Sequence, residues 1–149
     1  MIEVLNKLID VLKLRKIDDQ LFEGCSEDLG FKNVFGGQVC GQAMMAAYQT
    51  VEGRTAHSMH GYFLRAGDCS LPIQYETQVL RDGGTFSARR VIAKQHNKEI
   101  FTLNASFQAD EQGFSQQFDA PETTDPESLL SALEMRRRFK HLIPEERRA

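Results

Sequence analysis

The sequence predicts an α+β fold in which an antiparallel sheet wraps one buried central helix. Two observations carry that expectation. The run from Val34 to Val51 holds no charged residue, and Val39, Cys40, Ala43, Met44, Ala46 and Ala47 cover most of a helix drawn through it. A helix that is apolar nearly all round belongs inside something. The run is too short and too dotted with Gly and Gln to span a bilayer, and from Thr55 to Gln108 the chain alternates at period two between turn signals. An antiparallel sheet is therefore the wrapping, and Gly41, Ala43, Ala46 and Ala47 let it approach closely.

The elements follow in order. Val4, Leu5, Leu8, Ile9, Leu12 and Leu14 recur at helical spacing, predicting an amphipathic first helix that must dock on a neighbour. Gln20 to Cys25 reads as a short strand, and a loop runs on through Asp28 and Gly30 to the buried helix. Strands are expected at Thr55–Leu64 and Ile73–Leu80, with Arg81-Asp82-Gly83-Gly84 as a tight hairpin whose central residues take positive φ. Phe86–Gln95 returns antiparallel, His96-Asn97-Lys98 turns, and Ile100–Gln108 is the last strand. Its Phe101, Leu103, Ala105 and Phe107 share one face, and Thr102, Asn104, Ser106 and Gln108 share the other. Residues 1–111 thus form one domain with a leading helix. Residues 112–149 form a Gln-, Asp-, Thr- and Pro-rich linker, then a helix opening at Pro126 with Leu129, Leu130, Leu133 and Met135, and a basic end from Arg136-Arg137-Arg138 to Pro144–Arg148.

A length of 149 residues suits one domain with a real core, and 41% hydrophobic with 26% charged residues is an ordinary globular composition. The formal net charge of -3 speaks against a general nucleic-acid or membrane-surface binder. Glu3, Lys7 and Asp10 interrupt the apolar pattern at the N-terminus, so neither a signal peptide nor a transit sequence is expected there, and no membrane insertion is expected of the chain. Cys25, Cys40 and Cys69 are odd in number and irregularly spaced, which fits buried thiols in a reducing, cytoplasmic protein and offers no metal-type C-x-x-C.

The chemistry-bearing residues are few. Gly36-Gly37-Gln38 opens the central helix with backbone N–H groups at its positive end, where an oxyanion or phosphate can sit. His57 and His60 stand three apart on a strand, so regular alternation places them on opposite faces and they read as structural histidines. Ser58 and Gln108 either orient a water or satisfy backbone donors. Arg65, Arg89 and Arg90 read as solvated strand-end charges, with Arg the natural partner of phosphate groups at a groove mouth.

A buried helix wrapped by a meander of long antiparallel strands is the hot-dog architecture. Four segments carry a more specific resemblance: Ser26-Glu27-Asp28-Leu29-Gly30; Val34-Phe35-Gly36-Gly37-Gln38-Val39-Cys40-Gly41-Gln42-Ala43; His57-Ser58-Met59-His60-Gly61-Tyr62-Phe63-Leu64-Arg65 with Gly67-Asp68; and Arg81-Asp82-Gly83 with Phe86-Ser87-Ala88-Arg89-Arg90-Val91. In this order, with Ala105-Ser106-Phe107-Gln108 after them, they resemble the amino-terminal half of the acyl-CoA thioesterase II family of bacteria and peroxisomes. The resemblance implies two fused hot-dog repeats that hydrolyse fatty acyl-CoA by an oriented water, without metal or organic cofactor. It implies acyl-CoA as the ligand, with Gly36, Gly37, Gln38, His60 and Arg65 as binding residues, and a second hot-dog repeat or a second copy as the partner. It also places the family's catalytic Asp, Ser or Thr, and Gln in the second repeat. The corresponding places here lie near Gln38, Ser58 and Gln108, with no acid at the helix, so the chain is expected to be a catalytically poor half. Ser58 and Gln108 become catalytic candidates only if it is self-sufficient; the alternative is a non-catalytic acyl-binding or structural half.

Overall fold

The period-two pattern becomes one six-stranded antiparallel sheet. The computed structural model describes residues 2–142, and its contacts divide the chain into two units, Met1–Gln112 and Gly113–Ala149. The first unit opens with helix α1 (Ile2–Leu12) and a hairpin of β1 (Arg15–Asp18) and β2 (Leu21–Gly24). Helix α2 (Gly36–Tyr48) follows, then β3 (Thr55–Phe63), β4 (Ile73–Asp82), β5 (Phe86–Gln95) and β6 (Lys98–Gln108). The strand order is β1-β2-β4-β5-β6-β3, so β6 is interior and β3 is an edge.

The alternation in β6 sets the core. Phe101, Leu103, Ala105 and Phe107 are buried, and Ala43, Ala46 and Ala47 of α2 pack with them, fully buried, alongside Phe22, Tyr75 and Val91. Alanines on the sheet side let α2 lie close against β2, β4, β5 and β6. The helix is less enclosed than its composition suggests. Cys40 and Met44 are half-buried and Met45 is exposed, because β3 is an edge strand and nothing continues the sheet beyond it among the described residues. Cys25 is exposed and Cys69 half-buried, so none of the three free thiols is the fully buried thiol expected. Helix α1 packs on α2, with Leu12 against Gly41, yet Val4, Leu5, Leu8 and Ile9 stay exposed.

Two turns differ in chemistry. His96 and Asn97 take φ of 48° and 58°, so the β5–β6 hairpin is a two-residue turn of the left-handed kind without glycine. The β4–β5 loop, where the central Asp82 and Gly83 were expected at positive φ, has neither residue there. Arg54 organises that loop instead, donating from Nη2 to the carbonyls of Gly83 at 2.6 Å and Gly84 at 2.9 Å, while Gly83 N–H donates to Phe86 O at 2.8 Å.

In the second unit the single helix expected from Pro126 is two pieces. Pro126–Ser128 is a 3-10 turn opened by Asp125, whose side chain accepts from Glu127 N–H. Leu129 is extended at ψ 151°, which ends the turn. Ser131 and Glu134 then form a reciprocal capping box that starts α3 (Ala132–Arg138). Residues Pro144 to Arg148 lie outside the described residues.

Overpacking a close-packed core costs roughly 1–3 kcal/mol per site. Ala47→Leu is expected to lower the denaturant midpoint by that order, and Gln116→Leu in the exposed linker to leave it in place; equal midpoints would contradict the placement of α2.

Candidate functional site

The start of α2 is where the sequence puts the most chemistry. Phe35 is its N-cap residue and provides no side-chain cap, and the first turn holds no acid. Gln38 N–H and Val39 N–H donate to Phe35 O at 3.0 and 3.3 Å, leaving the N–H groups of Gly36 and Gly37 without a backbone acceptor among the described residues. These two donors sit at the positive end of a 13-residue helix.

A cavity of about 480 Å³ opens beside Gly36, walled by Val39, Phe63, Ile100 and Phe101, with Arg65 at its rim. The Phe63 ring lies against Gly36, where an added Cβ would come within 3.0 Å of it, and stacks tilted on Phe101 at 4.6 Å between centroids. Arg65 is exposed and donates from Nη1 to Glu99 O at 2.6 Å, which holds its guanidinium near the mouth. Gly36 and Arg65 are thus brought together. The apolar wall was not among the expected site residues, because Phe63, Ile100 and Phe101 read simply as strand and core positions.

Gly37 and Gln38 look the other way, into a groove of about 350 Å³ between α1 and α2. Gln38 is 7% exposed, and its amide is engaged: Oε1 accepts from Glu27 N–H at 3.1 Å and Nε2 donates to Cys25 O at 3.1 Å. One turn on, Gln42 is fully buried. Its Nε2 donates to Val11 O at 2.6 Å and Cys25 O at 2.9 Å, and its Oε1 accepts from the Tyr75 hydroxyl at 2.6 Å. Sequence reasoning passed over Gln42, although two glutamines four apart on one helix face signal a shared task.

Ser58, His60 and Gln108 stand on the sheet face away from α2. Ser58 pairs across with Ser106 and His60 with Asn104, both of the polar row of β6. The His60 ring meets Tyr62 edge-on at 4.8 Å, and Gln108 Nε2 donates to Glu111 Oε2 at 3.1 Å. The sheet therefore separates Ser58 and Gln108 from the α2 N-terminus. The two histidines do not face opposite sides. The β3–β6 register shifts between Ala56 and Ser58, which makes His57 a bulge residue, and its Nε2 lies 2.9 Å from Ser106 Oγ on the same outer face as His60. Among the described residues no group of three metal-ligating side chains forms.

The chain matches the family described as "Acyl-CoA thioesterase N-terminal domain" over residues 27–108. It belongs to that family. This N-terminal thioesterase domain is similar to Acyl-CoA thioesterase 2 of Haemophilus influenzae, at 47% identity over 146 residues, covering 97% of this chain and 51% of that protein. It is 45% identical over 122 residues to Acyl-coenzyme A thioesterase 8 of Homo sapiens, covering 80% of this chain and 38% of that protein. The chain thus spans about half or less of the length of these curated relatives. The crystal structure of an acyl-CoA thioesterase II from Mycobacterium marinum superposes with a TM-score of 0.75 at 36% identity, covering 89% of this chain and 49% of that one. A hot-dog protein from Alicyclobacillus acidocaldarius, 17% identical with a TM-score of 0.69 over 85% of this chain and 50% of that one, supports the fold alone.

Within the domain Arg89 is not the solvated charge expected. It is 2% exposed and ties the exit of α2 to the β4–β5 hairpin, donating from Nε to Thr50 Oγ1 at 2.9 Å and from Nη2 to Thr50 O at 2.8 Å, with Asp82 Oδ1 2.8 Å from Nη1. The Arg89 guanidinium holds the Asp82 carboxyl below the usual carboxylate range. A carboxyl depressed in the folded state stabilises the fold above its unfolded value, about pH 4, and loses that contribution as pH falls through its folded value. Asp82→Asn should therefore lower the melting temperature at pH 7, and the gap to wild type should close in melts taken below about pH 4; a gap that widens on acidification would contradict the assignment.

Proposed function

We propose that this chain supplies the first hot-dog unit of an acyl-CoA thioester hydrolase and works against a second hot-dog unit paired along β3. The observation that carries the reading is the α2 N-terminus, where the unengaged N–H of Gly36 stands beside an apolar-walled cavity with Arg65 at its mouth and that of Gly37 beside the groove along α1. Such donors suit the oxygen of a thioester carbonyl as it gains charge, and a guanidinium suits the phosphates of a CoA arm. In the reaction, water adds to the carbonyl carbon, the C–S bond breaks, and the products are a free acid and the CoA thiol. The printed names of the relatives support acyl-CoA as the substrate class.

What this unit lacks is a group to orient the water. No acid stands in the first turn of α2, the amide of Gln38 is committed to Cys25 and Glu27, and Ser58 and Gln108 lie across the sheet. These facts favour a division of labour in which this unit binds and positions while the partner unit carries the water-activating carboxylate. They equally support the second reading, a non-catalytic acyl-binding half. The edge for pairing is β3, nine residues long with every residue but Ala56 exposed, Met59, Tyr62 and Phe63 among them. An unpaired, partly apolar edge of that length calls for a second sheet. Among the described residues no helix is long and apolar enough to cross a membrane, and a cytoplasmic location is part of the proposal.

The test is CoA-thiol release from a panel of acyl-CoAs by the purified chain. Little or no turnover is expected. Robust turnover that survives replacement of both Ser58 and Gln108 would sink the division of labour.

A further inference from the structure

The groove between α1 and the first turn of α2 is chemically unlike the cavity on the other side of that turn. Val4, Leu8 and Val11 of α1 face Leu29 and Phe35 across it, and Gly37 lies at its floor. Its polar side chains are already spent on one another and on backbone: Lys7 pairs with Glu27 from α1 to the loop, and the Gln38 amide bonds Cys25 O and Glu27 N–H. None of the lining side chains waits for a ligand's hydrogen bond, and the Gly37 N–H at the floor is the open donor among the lining's backbone groups, so an occupant that carries polar groups elsewhere into the groove would lose their hydration without return.

Size narrows the occupant. About 350 Å³ falls at the small end of small-molecule sites. The groove also adjoins the 480 Å³ cavity through the first turn of α2, Gly36 lining the cavity and Gly37 the groove. The cavity has Arg65 and Asn33 on its wall, and the groove has no unpaired charge. A molecule with one long apolar arm and one anionic arm is matched by that pair of spaces.

We infer that the α1–α2 groove seats the hydrocarbon chain of an acyl thioester, the anionic arm leaving through the cavity past Arg65. The inference rests on the acyl-CoA reading above and adds a place and an orientation to it. It gives the exposed apolar stripe of α1 a task, that of one wall of a chain-length gauge. Phe35, half-exposed, lines the groove with its ring so near Gly37 that an added Cβ would come within 2.5 Å of it.

The experiment is calorimetric titration of the full chain with CoA and with butanoyl-, hexanoyl- and octanoyl-CoA, for wild type, Leu8→Trp and Leu29→Trp. Each methylene taken from water contributes about fourfold in affinity, so wild-type affinity should climb by up to that factor per carbon. Both substitutions, at exposed positions on opposite walls, should flatten the climb and leave CoA itself unchanged. A climb that persists in both folded variants overturns the groove and leaves the acyl-CoA reading standing; no climb in wild type overturns both. A variant that loses self-association in sedimentation while keeping the climb assigns the groove to a second copy and overturns the inference. Labelling of wild type by an octanoyl-CoA with a terminal diazirine gives a readout independent of the variants. Label within residues 4–12 or 27–35 supports the seat, and label confined elsewhere overturns it.

Discussion

A single buried amide fixes the relations on which the site depends. Gln42 stands on α2 with no exposed surface, and its carboxamide bonds three separate parts of the chain: the end of α1 at Val11, the exit of β2 at Cys25 and the start of β4 at Tyr75. Its orientation is forced by chemistry, since two carbonyl oxygens only accept and must face the NH₂ end, which leaves the oxygen for the Tyr75 hydroxyl. Burial pushes the Tyr75 phenol far above its ordinary value, so it remains a donor. Gly24 makes room, because a Cβ there would come within 2.7 Å of the Gln42 amide.

From that constraint the geometry of the candidate site follows. With Gln38 bonding the same Cys25 carbonyl one turn earlier, the first two turns of α2 are held against the Cys25–Glu27 loop. The N–H groups of Gly36 and Gly37 are thereby fixed between two spaces of different character rather than swinging with a loop. At the other end Arg89 performs the matching task, binding Thr50 to Asp82. A helix pinned at both ends and packed through alanines is a rigid platform, and rigidity is what a binding or catalytic constellation requires. Among the described residues the sheet leaves the helix open along the flank at β3, where Cys40 Sγ lies 3.8 Å from Met59 Sδ and the sheet stops.

Much of this was legible in the sequence because the hydrophobic pattern speaks for each element separately. The charge-free run gave α2 within two or three residues at either end, strict alternation gave β6 with its buried face, and the turn signals gave β5 as an antiparallel return. Three kinds of feature were silent. Strand β1 is Arg-Lys-Ile-Asp, exposed at every position, and forms only because β2 offers it an edge. The bulge at His57 shifts the register by one residue and turns an argument from alternation upside down, yet nothing local announces it. Buried polar side chains such as Gln42 and Arg89 look like surface residues until their partners, dozens of positions away in the chain, are in place. The candidate site was half legible for the same reason: Gly36 and Arg65 meet as the motif suggests, while the wall of Phe63, Ile100 and Phe101 is assembled by tertiary packing.

The most direct measurement is a double-mutant cycle on Gln42 and Tyr75, using Gln42→Met and Tyr75→Phe with equilibrium denaturation. Each single change strands a buried partner, at about 1–3 kcal/mol, and the double variant strands less than the sum. A coupling of about 1 kcal/mol or more is the result expected of a fully engaged buried amide. Strict additivity, with Gln42→Met no more destabilising than an exposed substitution, would contradict the claim that this one side chain joins α1, β2 and β4 behind the site.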